Sequence, residues 1–140
     1  SMPVRYLFLD EVDGFPDEAG IEGDPVDLAI QRTATFNNRK IFMISTPTIK
    51  GASRIEQAFL EGDQRYYHVP CPQCGHYQVL KWKQIVFDKN NIKEACYKCE
   101  SCGALWHNWE KETILAKGHW IAQKPFNTEV ASFHLSSLYR

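Results

Sequence analysis

The sequence predicts an α/β protein, in which a parallel sheet with helices is followed by a small β-rich unit. Three observations lead to this prediction. Residues 4–46 run in the order strand, helix, strand, and from residue 66 onward the pattern changes to short β-prone pieces. Four of the five cysteines fall in two Cys-x-x-Cys-Gly repeats within that second part. Alternating strands and helices are typical of parallel sheets. A β-rich unit of this size is too small to be stabilised by its own apolar core and needs an internal cross-link.

Two buried strands are predicted in the first part of the chain. Residues 4–9, VRYLFL, and residues 40–46, KIFMIST, are nearly continuous apolar runs. Runs of this kind are typical of central parallel strands that are covered on both faces. The first run ends in Asp10 and Glu11, so two carboxylates are expected at the carboxyl edge of the sheet, where α/β proteins bind ligands.

Three helices are predicted from residues that favour helix ends. Asp24 is an N-cap for the helix that joins the two strands. Ser53 and Glu56 have the spacing of a capping box and begin a second helix. A third helix is predicted over residues 109–117, with Asn108 as its N-cap.

Composition and charge exclude several classes of protein. With 140 residues, 44% of them hydrophobic and 24% charged, the chain has the composition of a globular protein. It contains neither an apolar run of about 18 residues nor a signal-peptide pattern, so membrane insertion and secretion are not expected. Residues 1–30 hold one base and eight acids, net −7, and residues 31–140 hold fifteen bases and nine acids, net +6. The basic remainder is compatible with DNA, although two solvated faces of opposite sign explain it equally well.

The two cysteine repeats predict one structural zinc site. Two thiolates three positions apart can face one tetrahedral ion, and the glycine that follows lets backbone amides turn toward the sulfurs. The intervening KWKQIVFDKN fits a hairpin. Four thiolates leave no open position on the ion, so its role is structural. The predicted ligands are Cys71, Cys74, Cys99 and Cys102.

Alternatives for these residues stay open. Two disulfides would require an oxidising compartment, for which there is no targeting signal, and would leave one thiol unpaired. Cys96 also has ligand spacing to Cys99, but only the pair of Cys99 with Cys102 carries the trailing glycine, so Cys96 is interpreted as a small buried hydrophobic residue. His76 and His107 lie close enough to replace a ligand, although surface or strand positions fit them better.

The acidic strand end is a candidate site for nucleotide hydrolysis. In nucleotide hydrolases the first carboxylate, here Asp10, holds magnesium, and the second, here Glu11, polarises the attacking water. Ser45, Thr46 and Thr48 follow the neighbouring strand and could hydrogen-bond the water or the γ-phosphate. Acids also follow buried strands simply because the chain emerges into solvent, so the pair alone is a weak signal. The sequence has no G-x-x-x-x-G-K-[ST] loop, so the chain alone is not expected to hydrolyse ATP efficiently.

The joint order of these motifs resembles the large terminase subunit of tailed bacteriophages, the lambda-like GpA type. The resemblance covers nearly the whole chain, through RYLFLDEVDGFP, GDPVDLAIQRTATF, NRKIFMISTPT, SRIEQAF, RYYHVPCPQCGHYQVLKW, YKCESCGALW and GHWIA with FHLSSLY. It implies a partial P-loop NTPase-type parallel sheet followed by a four-cysteine zinc ribbon. In that family the large subunit is a DNA-packaging motor with an ATPase domain and a separate nuclease domain, and the latter does not occur in this sequence.

The resemblance also implies roles for individual residues. Asp10 belongs to the Walker B strand and Glu11 is the catalytic carboxylate. Three residues match the motif that couples hydrolysis to movement: Ser45, Thr46 and Thr48. The family's cysteine pairs match Cys71, Cys74, Cys99 and Cys102. The cofactors implied are structural Zn²⁺, with Mg²⁺ and ATP in the intact parent.

Three segments follow from this resemblance. Residues 1–64 form the part of the ATPase core from Walker B to the coupling motif, residues 65–108 the zinc ribbon, and residues 109–140 a helix and strands that return toward the core. The implied partners are double-stranded DNA, the small terminase subunit and the portal, in the cytoplasm of the bacterial host, and self-association through an exposed sheet edge is expected. The competing hypothesis is a non-enzymatic zinc-ribbon module that binds nucleic acid or a partner protein.

Overall fold

The computed structural model describes residues 2–17 and 20–140 and shows a mixed α/β chain of two compact units. Unit 1 is Ser1–Leu60 and unit 2 is Glu61–Arg140. The α-helices and strands of unit 1 are β1 (Tyr6–Asp10), α1 (Pro25–Gln31), β2 (Lys40–Ile44) and α2 (Arg54–Glu61), whose last residue opens unit 2.

The two strands of unit 1 pair in parallel, as predicted, with Tyr6 opposite Lys40 and Asp10 opposite Ile44. One face of this pair packs on the connecting helix and the loop after β1, because alternate strand residues point to the same side. The buried core there consists of Leu9, Val12 and Val26, with Leu7, Phe15, Ala29, Ile30, Met43 and Ile55 packed against it.

The other face of the pair is exposed, so the prediction that both strands are buried on two faces is wrong for this chain. Tyr6, Phe8, Phe42 and Ile44 all lie on that face, and Phe8 is 77% exposed. The rings of Phe8 and Phe42 contact each other across the strands, with centroids 6.1 Å apart. Among the described residues no element packs over them, which is the physical reason for their exposure.

The helix caps in unit 1 agree with those predicted from the sequence, except for one half of the capping box. Asp24 caps α1, since its Oδ1 accepts a hydrogen bond from the backbone N–H of Val26 at 2.7 Å. Ser53 Oγ accepts from the N–H of Glu56 at 3.1 Å, which is one half of the predicted capping box. The Glu56 carboxylate does not bond back to Ser53 but accepts from the N–H of Gly51 at 3.4 Å.

Unit 2 contains two sheets. The first is built around β3 (Arg65–Pro70), with β8 (His119–Ala122) antiparallel to it on one edge and β4 (Tyr77–Val79) antiparallel on the other. The short β9 (Phe133–His134) pairs in parallel with the start of β3. The second sheet is the antiparallel series β5 (Ile85–Asp88), β6 (Asn91–Lys98) and β7 (Leu105–Trp106), so the stretch between the cysteine pairs does form a hairpin.

The third helix is shorter than predicted. α3 spans Lys111–Ala116 and follows a 3₁₀ turn, Asn108–Glu110. His107, and not Asn108, is the N-cap of that turn, and the Glu110 carboxylate accepts from the His107 N–H at 2.9 Å. No helix in residues 2–17 and 20–140 is long and apolar enough to cross a membrane.

Candidate functional site

The four cysteines predicted as ligands come together in unit 2. Their sulfur atoms all lie within 4.8 Å of one another. Two of the sulfur pairs, Cys71 with Cys102 and Cys74 with Cys99, are each separated by 3.8 Å. A tetrahedral ion with metal–sulfur bonds of about 2.3 Å places its sulfurs roughly 3.8 Å apart. The four cysteines therefore have a geometry that could hold a metal ion.

The glycines of the two knuckles have the role that the sequence predicts. Gly75 and Gly103 adopt φ values of 75° and 76°, a region that disfavours residues with a Cβ. In the first knuckle the backbone N–H of Gln73 donates to Cys71 Sγ at 3.4 Å. In the second knuckle the equivalent N–H lies 3.4 Å from Cys99 Sγ. These N–H groups stabilise negative charge on the sulfurs.

The buried amide of Gln78 is a part of the site that sequence reasoning missed. Gln78 is 1% exposed, its Nε2 donates to Cys99 Sγ at 3.4 Å, and its Oε1 accepts from the N–H of Glu100 at 3.0 Å. Burial opposes ionisation of Cys99, but Gln78 and the N–H groups of Cys102 and Ser101 outweigh it and lower the pKa of the Cys99 thiol to about 6. Position 78 gave no sequence signal, because only the fold brings it to the second cysteine pair.

Ionisation is shared unequally among the four sulfurs. The N–H of Ala104 favours the Cys102 thiolate, but desolvation and the three neighbouring sulfurs outweigh it and raise the pKa of Cys102 to about 11. Four thiols this close cannot all lose their protons without a compensating positive charge, because the thiolates repel one another. A bound dication supplies that charge, so the donor set fits a metal.

The indole of Trp106 lies next to the cysteine cluster. Its Nε1 is buried and makes no hydrogen bond of ordinary geometry within the described residues. Burial raises the pKa of the Cys71 thiol, but the N–H groups of Cys74 and Gln73 and the Trp106 indole favour its thiolate, so the net shift is downward. The Trp106 indole therefore belongs to the surroundings that favour the ionised form of Cys71.

The remaining candidate ligands lie outside the cluster. His76 Nε2 is 3.0 Å from a carboxylate oxygen of Glu100, and His107 Nδ1 is 3.3 Å from Cys96 Sγ. Cys96 is only half-buried, so its interpretation as a buried hydrophobic residue is wrong. Neither histidine belongs to the group of four residues that could hold an ion.

The acidic strand end of unit 1 has an unusual backbone. Glu11 follows β1 directly and adopts φ 54° and ψ 45°, in the left-handed region. Its N–H donates to the carbonyl of Ile44 at 2.8 Å, so this conformation is held at the end of the neighbouring strand. Left-handed conformations are uncommon for residues other than glycine, and strain of this kind concentrates at functional sites. Asp10 and Glu11 are both exposed to solvent.

Asp13 connects the loop after β1 to the predicted coupling residues. Its N–H donates to Ser45 Oγ at 3.2 Å, and its Oδ2 accepts from the N–H and the hydroxyl of Thr48 at 2.9 and 3.2 Å. Its Oδ1 accepts from the N–H of Ile55 at 2.9 Å, in the first turn of α2. Burial raises the pKa of Asp13, but the bonds from Ser53, Ile55 and Thr48 outweigh it and lower the pKa overall.

Asp13 is not among the residues that the sequence analysis selected. The coupling residues were expected beside Asp10 and Glu11, but in the structure two of them contact Asp13. Ser45 and Thr48 contact Asp13, and Thr46 only accepts a bond from Ser45 Oγ through its carbonyl, at 3.3 Å. In the described part of the chain no hydrogen bond joins these hydroxyls to the carboxylates of Asp10 or Glu11. The signal that could have found Asp13 is the third acid in the run DEVD, two positions after the predicted pair.

Arg54 fixes the loop that carries Asp13. Its Nη1 donates to the carbonyls of Val12 and Phe15 at 3.0 and 2.8 Å, and its Nη2 donates to the carbonyl of Pro16 at 2.6 Å. Its Nε pairs with Asp24 at 3.3 Å. Because one guanidinium satisfies three loop carbonyls, the loop after β1 has a defined position relative to α2.

The fold and the site together define a mixed α/β chain with a four-cysteine cluster and an acidic strand end. The family model described as phage terminase large subunit gpA, ATPase domain, matches residues 1–120. The chain therefore belongs to the phage terminase large subunit gpA family, which confirms the resemblance drawn from the order of motifs.

Two relatives illustrate the extent of the similarity. The terminase large subunit of Enterobacteria phage P21 is 34% identical over 128 residues, covering 86% of this chain and 20% of that protein. The terminase large subunit of Escherichia phage lambda is 36% identical over 80 residues, covering 56% of this chain and 12% of that protein. The chain thus spans about a fifth or less of the length of these two relatives. No solved structure shows a significant match.

Proposed function

We propose that this chain is part of the ATP-driven DNA-packaging motor of a tailed phage or prophage, and that it supplies the Walker B strand, the catalytic carboxylate and the coupling segment. The phosphate-binding loop would come from elsewhere in the parent protein. Membership of a family defined by an ATPase domain supports the nucleotide chemistry. The observation that carries the proposal is Glu11, held in a left-handed conformation at the carboxyl edge of a parallel strand.

The two carboxylates take different roles in this proposal. Asp10 ends β1 and would hold Mg²⁺, usually through water, while the Mg²⁺–ATP complex supplies the electrophilic phosphorus. Glu11 would orient and polarise the attacking water. The bond from its N–H to Ile44 fixes the backbone of Glu11 to the end of β2, so the position of the carboxylate depends on the neighbouring strand.

Asp13 provides the physical link from this edge to the coupling segment. It lies two positions after Glu11 and bonds to Ser45, Thr48 and Ile55, which belong to the loop after β2 and to α2. A displacement of the Glu11 loop when the γ-phosphate leaves would move the Asp13 carboxylate, and with it the bonds to the coupling residues. We therefore assign Asp13 as a positioning residue, with Ser45, Thr46 and Thr48 as the coupling segment.

The exposed sheet face supports a larger parallel sheet in the parent. Parallel sheets occur almost always with both faces covered, whereas the face with Phe8 and Phe42 is open in this chain. We propose that residues 1–64 belong to a P-loop NTPase-type sheet whose remaining strands and helices cover this face. A free sheet edge also favours self-association of the chain on its own.

We propose that the ion held by the four cysteines is a structural Zn²⁺ and that residues 65–108 form a zinc ribbon. Tetrahedral sites with four thiolates and no open position are typical of structural zinc. Residues 109–140 return to β3 through β8 and β9, so we assign them to the same unit as the ribbon. In the parent protein, double-stranded DNA, the small terminase subunit and the portal would be partners, in the cytoplasm of the host.

The test of the motor assignment is Glu11→Gln in the intact parent protein. We expect ATP turnover to fall by roughly 10²- to 10⁴-fold while ATP binding is retained, because the change removes the base and keeps the shape. Asp27→Asn is the matched control, since Asp27 is an exposed acid on α1. A Glu11→Gln protein that hydrolyses ATP at a near wild-type rate would remove Glu11 from its role.

The competing function is a non-enzymatic zinc-ribbon module that binds nucleic acid or a protein. One observation favours it, namely that unit 2 has a core of its own which includes Cys71 and Cys99. In that case the Asp10–Glu11 pair is a solvated strand end, and the parent would show no loss of turnover on Glu11→Gln.

A further inference from the structure

Arg54 carries a full charge into the interior of unit 1. It is the first residue of α2, and its side chain is only 19% exposed. The guanidinium makes four hydrogen bonds, of which three go to the backbone carbonyls of Val12, Phe15 and Pro16 and one goes to the carboxylate of Asp24. A charge that leaves water is tolerated where its donors are satisfied, and here most of them are satisfied by one short stretch of chain.

That stretch of chain begins at the predicted catalytic carboxylate. The carbonyl of Glu11 accepts from the N–H of Gly14 at 2.8 Å, which closes the 3₁₀ turn after β1. The carbonyl of Val12 accepts both from the N–H of Phe15 at 3.2 Å and from Nη1 of Arg54 at 3.0 Å. The guanidinium therefore binds the turn whose first hydrogen bond fixes the backbone of Glu11.

Glu11 needs such support, because a residue with a Cβ keeps a left-handed backbone only where the surrounding contacts over-determine it. On its N-terminal side the contact is the bond from its own N–H to the carbonyl of Ile44, at 2.8 Å. On its C-terminal side Arg54 holds the turn, and the N–H of Ile55 adds the bond to Asp13 at 2.9 Å. The first two residues of α2 thus fix the loop that follows Glu11.

We propose that Arg54 is a positioning residue for the Glu11 carboxylate, and that through it α2 sets the geometry of water activation. The inference rests on the function proposed above, in which Glu11 polarises the attacking water. A guanidinium suits this task because its planar fork presents five N–H donors in a fixed geometry, whereas lysine has a single nitrogen and cannot serve three carbonyls and a carboxylate together. Catalysis depends steeply on the placement of the catalytic group, so loss of the fork should slow the chemical step.

The first experiment asks whether Arg54 holds the loop, and it needs no ATP. Amide hydrogen exchange is measured by NMR in the 140-residue chain for the wild type and for Arg54→Lys, which keeps the charge and loses the fork. We expect exchange of the Gly14 and Phe15 amides to accelerate by about 10-fold or more, because the turn opens more often. The amides of the β1–β2 pair should change little. Equal exchange at Gly14 and Phe15 in the two proteins would overturn the proposal.

The second experiment measures hydrolysis of Mg²⁺–ATP by the intact parent protein. Arg54→Lys and Arg54→Gln should lower kcat by roughly 10- to 100-fold with little change in KM for ATP, because the placement of Glu11 is disturbed and nucleotide binding is not. Circular dichroism checks that each variant is folded, and Arg54→Lys carries the test if Arg54→Gln does not fold. Arg39→Gln is the matched control, since Arg39 is an exposed arginine that reaches one carbonyl, at 3.5 Å. A wild-type kcat in Arg54→Lys would contradict the positioning role.

A double-mutant comparison separates positioning from a general loss of stability. If Arg54 acts through Glu11, Arg54→Lys should cost only about 2-fold or less once Glu11→Gln has removed the carboxylate. Single-turnover rates measure this in the slow Glu11→Gln background. A purely structural role would lower the rate by the same factor in both backgrounds, and that additivity would overturn the proposal.

The outcome is separable from the motor assignment. Lost turnover in Glu11→Gln, beside wild-type rates in both Arg54 variants, would sink the Arg54 proposal alone. Faster exchange in the loop with an unchanged kcat would also sink it alone, because Arg54 would then hold the turn without positioning Glu11. A Glu11→Gln protein of near wild-type rate would sink the motor assignment itself, whatever the Arg54 variants do.

Discussion

Units 1 and 2 hold their strands together by different means. In unit 1 a small core around Leu9, Val12 and Val26 lies under one face of the β1–β2 pair, and the opposite face is open. In unit 2 the core of Val69, Tyr97, Trp106 and Ile114 is continuous with two of the clustered cysteines. The difference indicates that one ion bound by the cysteines would complete the core of unit 2. Unit 1 instead presents an apolar face that only another layer of structure would bury.

The largest effect is expected from the cysteine cluster. Cys74→Ser or Cys102→Ser should unfold unit 2, because metal binding supplies folding free energy on the order of 10 kcal/mol in small zinc domains. The measurement is zinc content per chain together with thermal unfolding by circular dichroism. Cys96→Ser is the control and should retain the metal, because Cys96 lies outside the cluster. Full zinc content in the Cys74→Ser and Cys102→Ser proteins would contradict the assignment.

In unit 1 the corresponding change is Asp13→Ala. It leaves the N–H groups of Thr48 and Ile55 without their acceptor, so we expect a loss of about 1–3 kcal/mol in the free energy of unfolding. Chemical denaturation followed by circular dichroism measures the loss. Asp17→Asn is the control, because Asp17 is exposed. A stability equal to that of the control would show that the Asp13 contacts carry no net energy.

Acid titration compares the two units through one carboxylate in each whose pKa is lowered by hydrogen bonds. In unit 2, burial raises the pKa of Asp63, but the Ser132 N–H and Arg65 outweigh it and lower the pKa overall, as for Asp13 in unit 1. A carboxylate whose pKa is lower in the folded state than the unfolded-state pKa of 3.8 stabilises the folded state at a pH above 3.8. This stabilisation is lost as the pH falls through the folded-state pKa. We therefore expect Asp13→Asn to flatten the loss of stability below about pH 4. An unchanged acid slope would contradict this linkage.

A smaller effect is expected from the indole beside the cluster. Trp106→Phe removes the buried N–H that favours the Cys71 thiolate but keeps an aromatic ring next to Tyr97. Groups that support metal ligands change affinity by roughly 10- to 100-fold, and we expect a decrease near the lower end. Competition with a zinc chelator measures the affinity. Trp109→Phe, at an exposed position, is the control, and equal affinities of the two variants would remove Trp106 from this role.

The smallest effect on stability is expected at the open face of unit 1. Phe8→Ser should change the free energy of unfolding by less than about 0.5 kcal/mol, because Phe8 is already exposed. It should nevertheless reduce any self-association that uses this apolar face and not the sheet edge, and sedimentation velocity measures it across a range of concentrations. Phe126→Ser, an exposed phenylalanine in unit 2, is the control. A wild-type chain that stays monomeric at all concentrations would contradict the expected self-association.

The sequence by itself determined the features that depend on local order. Parallel pairing of two apolar runs, the N-cap at Asp24 and the hairpin between the cysteine pairs all follow from spacing and periodicity over a few residues. The grouping of Cys71, Cys74, Cys99 and Cys102 was also predictable, because each knuckle fixes two ligands and a tetrahedral ion requires four. Membership of the family followed from the order in which such motifs occur.

Only the tertiary structure decided which distant groups meet. Asp13 bonds to Ser45 across 32 positions, and Gln78 reaches Cys99 across 21. The sheet around β3 brings together β4, β8 and β9 from distant parts of unit 2, and the open face of β1 and β2 depends on what covers it. Periodicity in a strand shows that two faces differ, but the partner of each face is set by packing against segments far away along the chain.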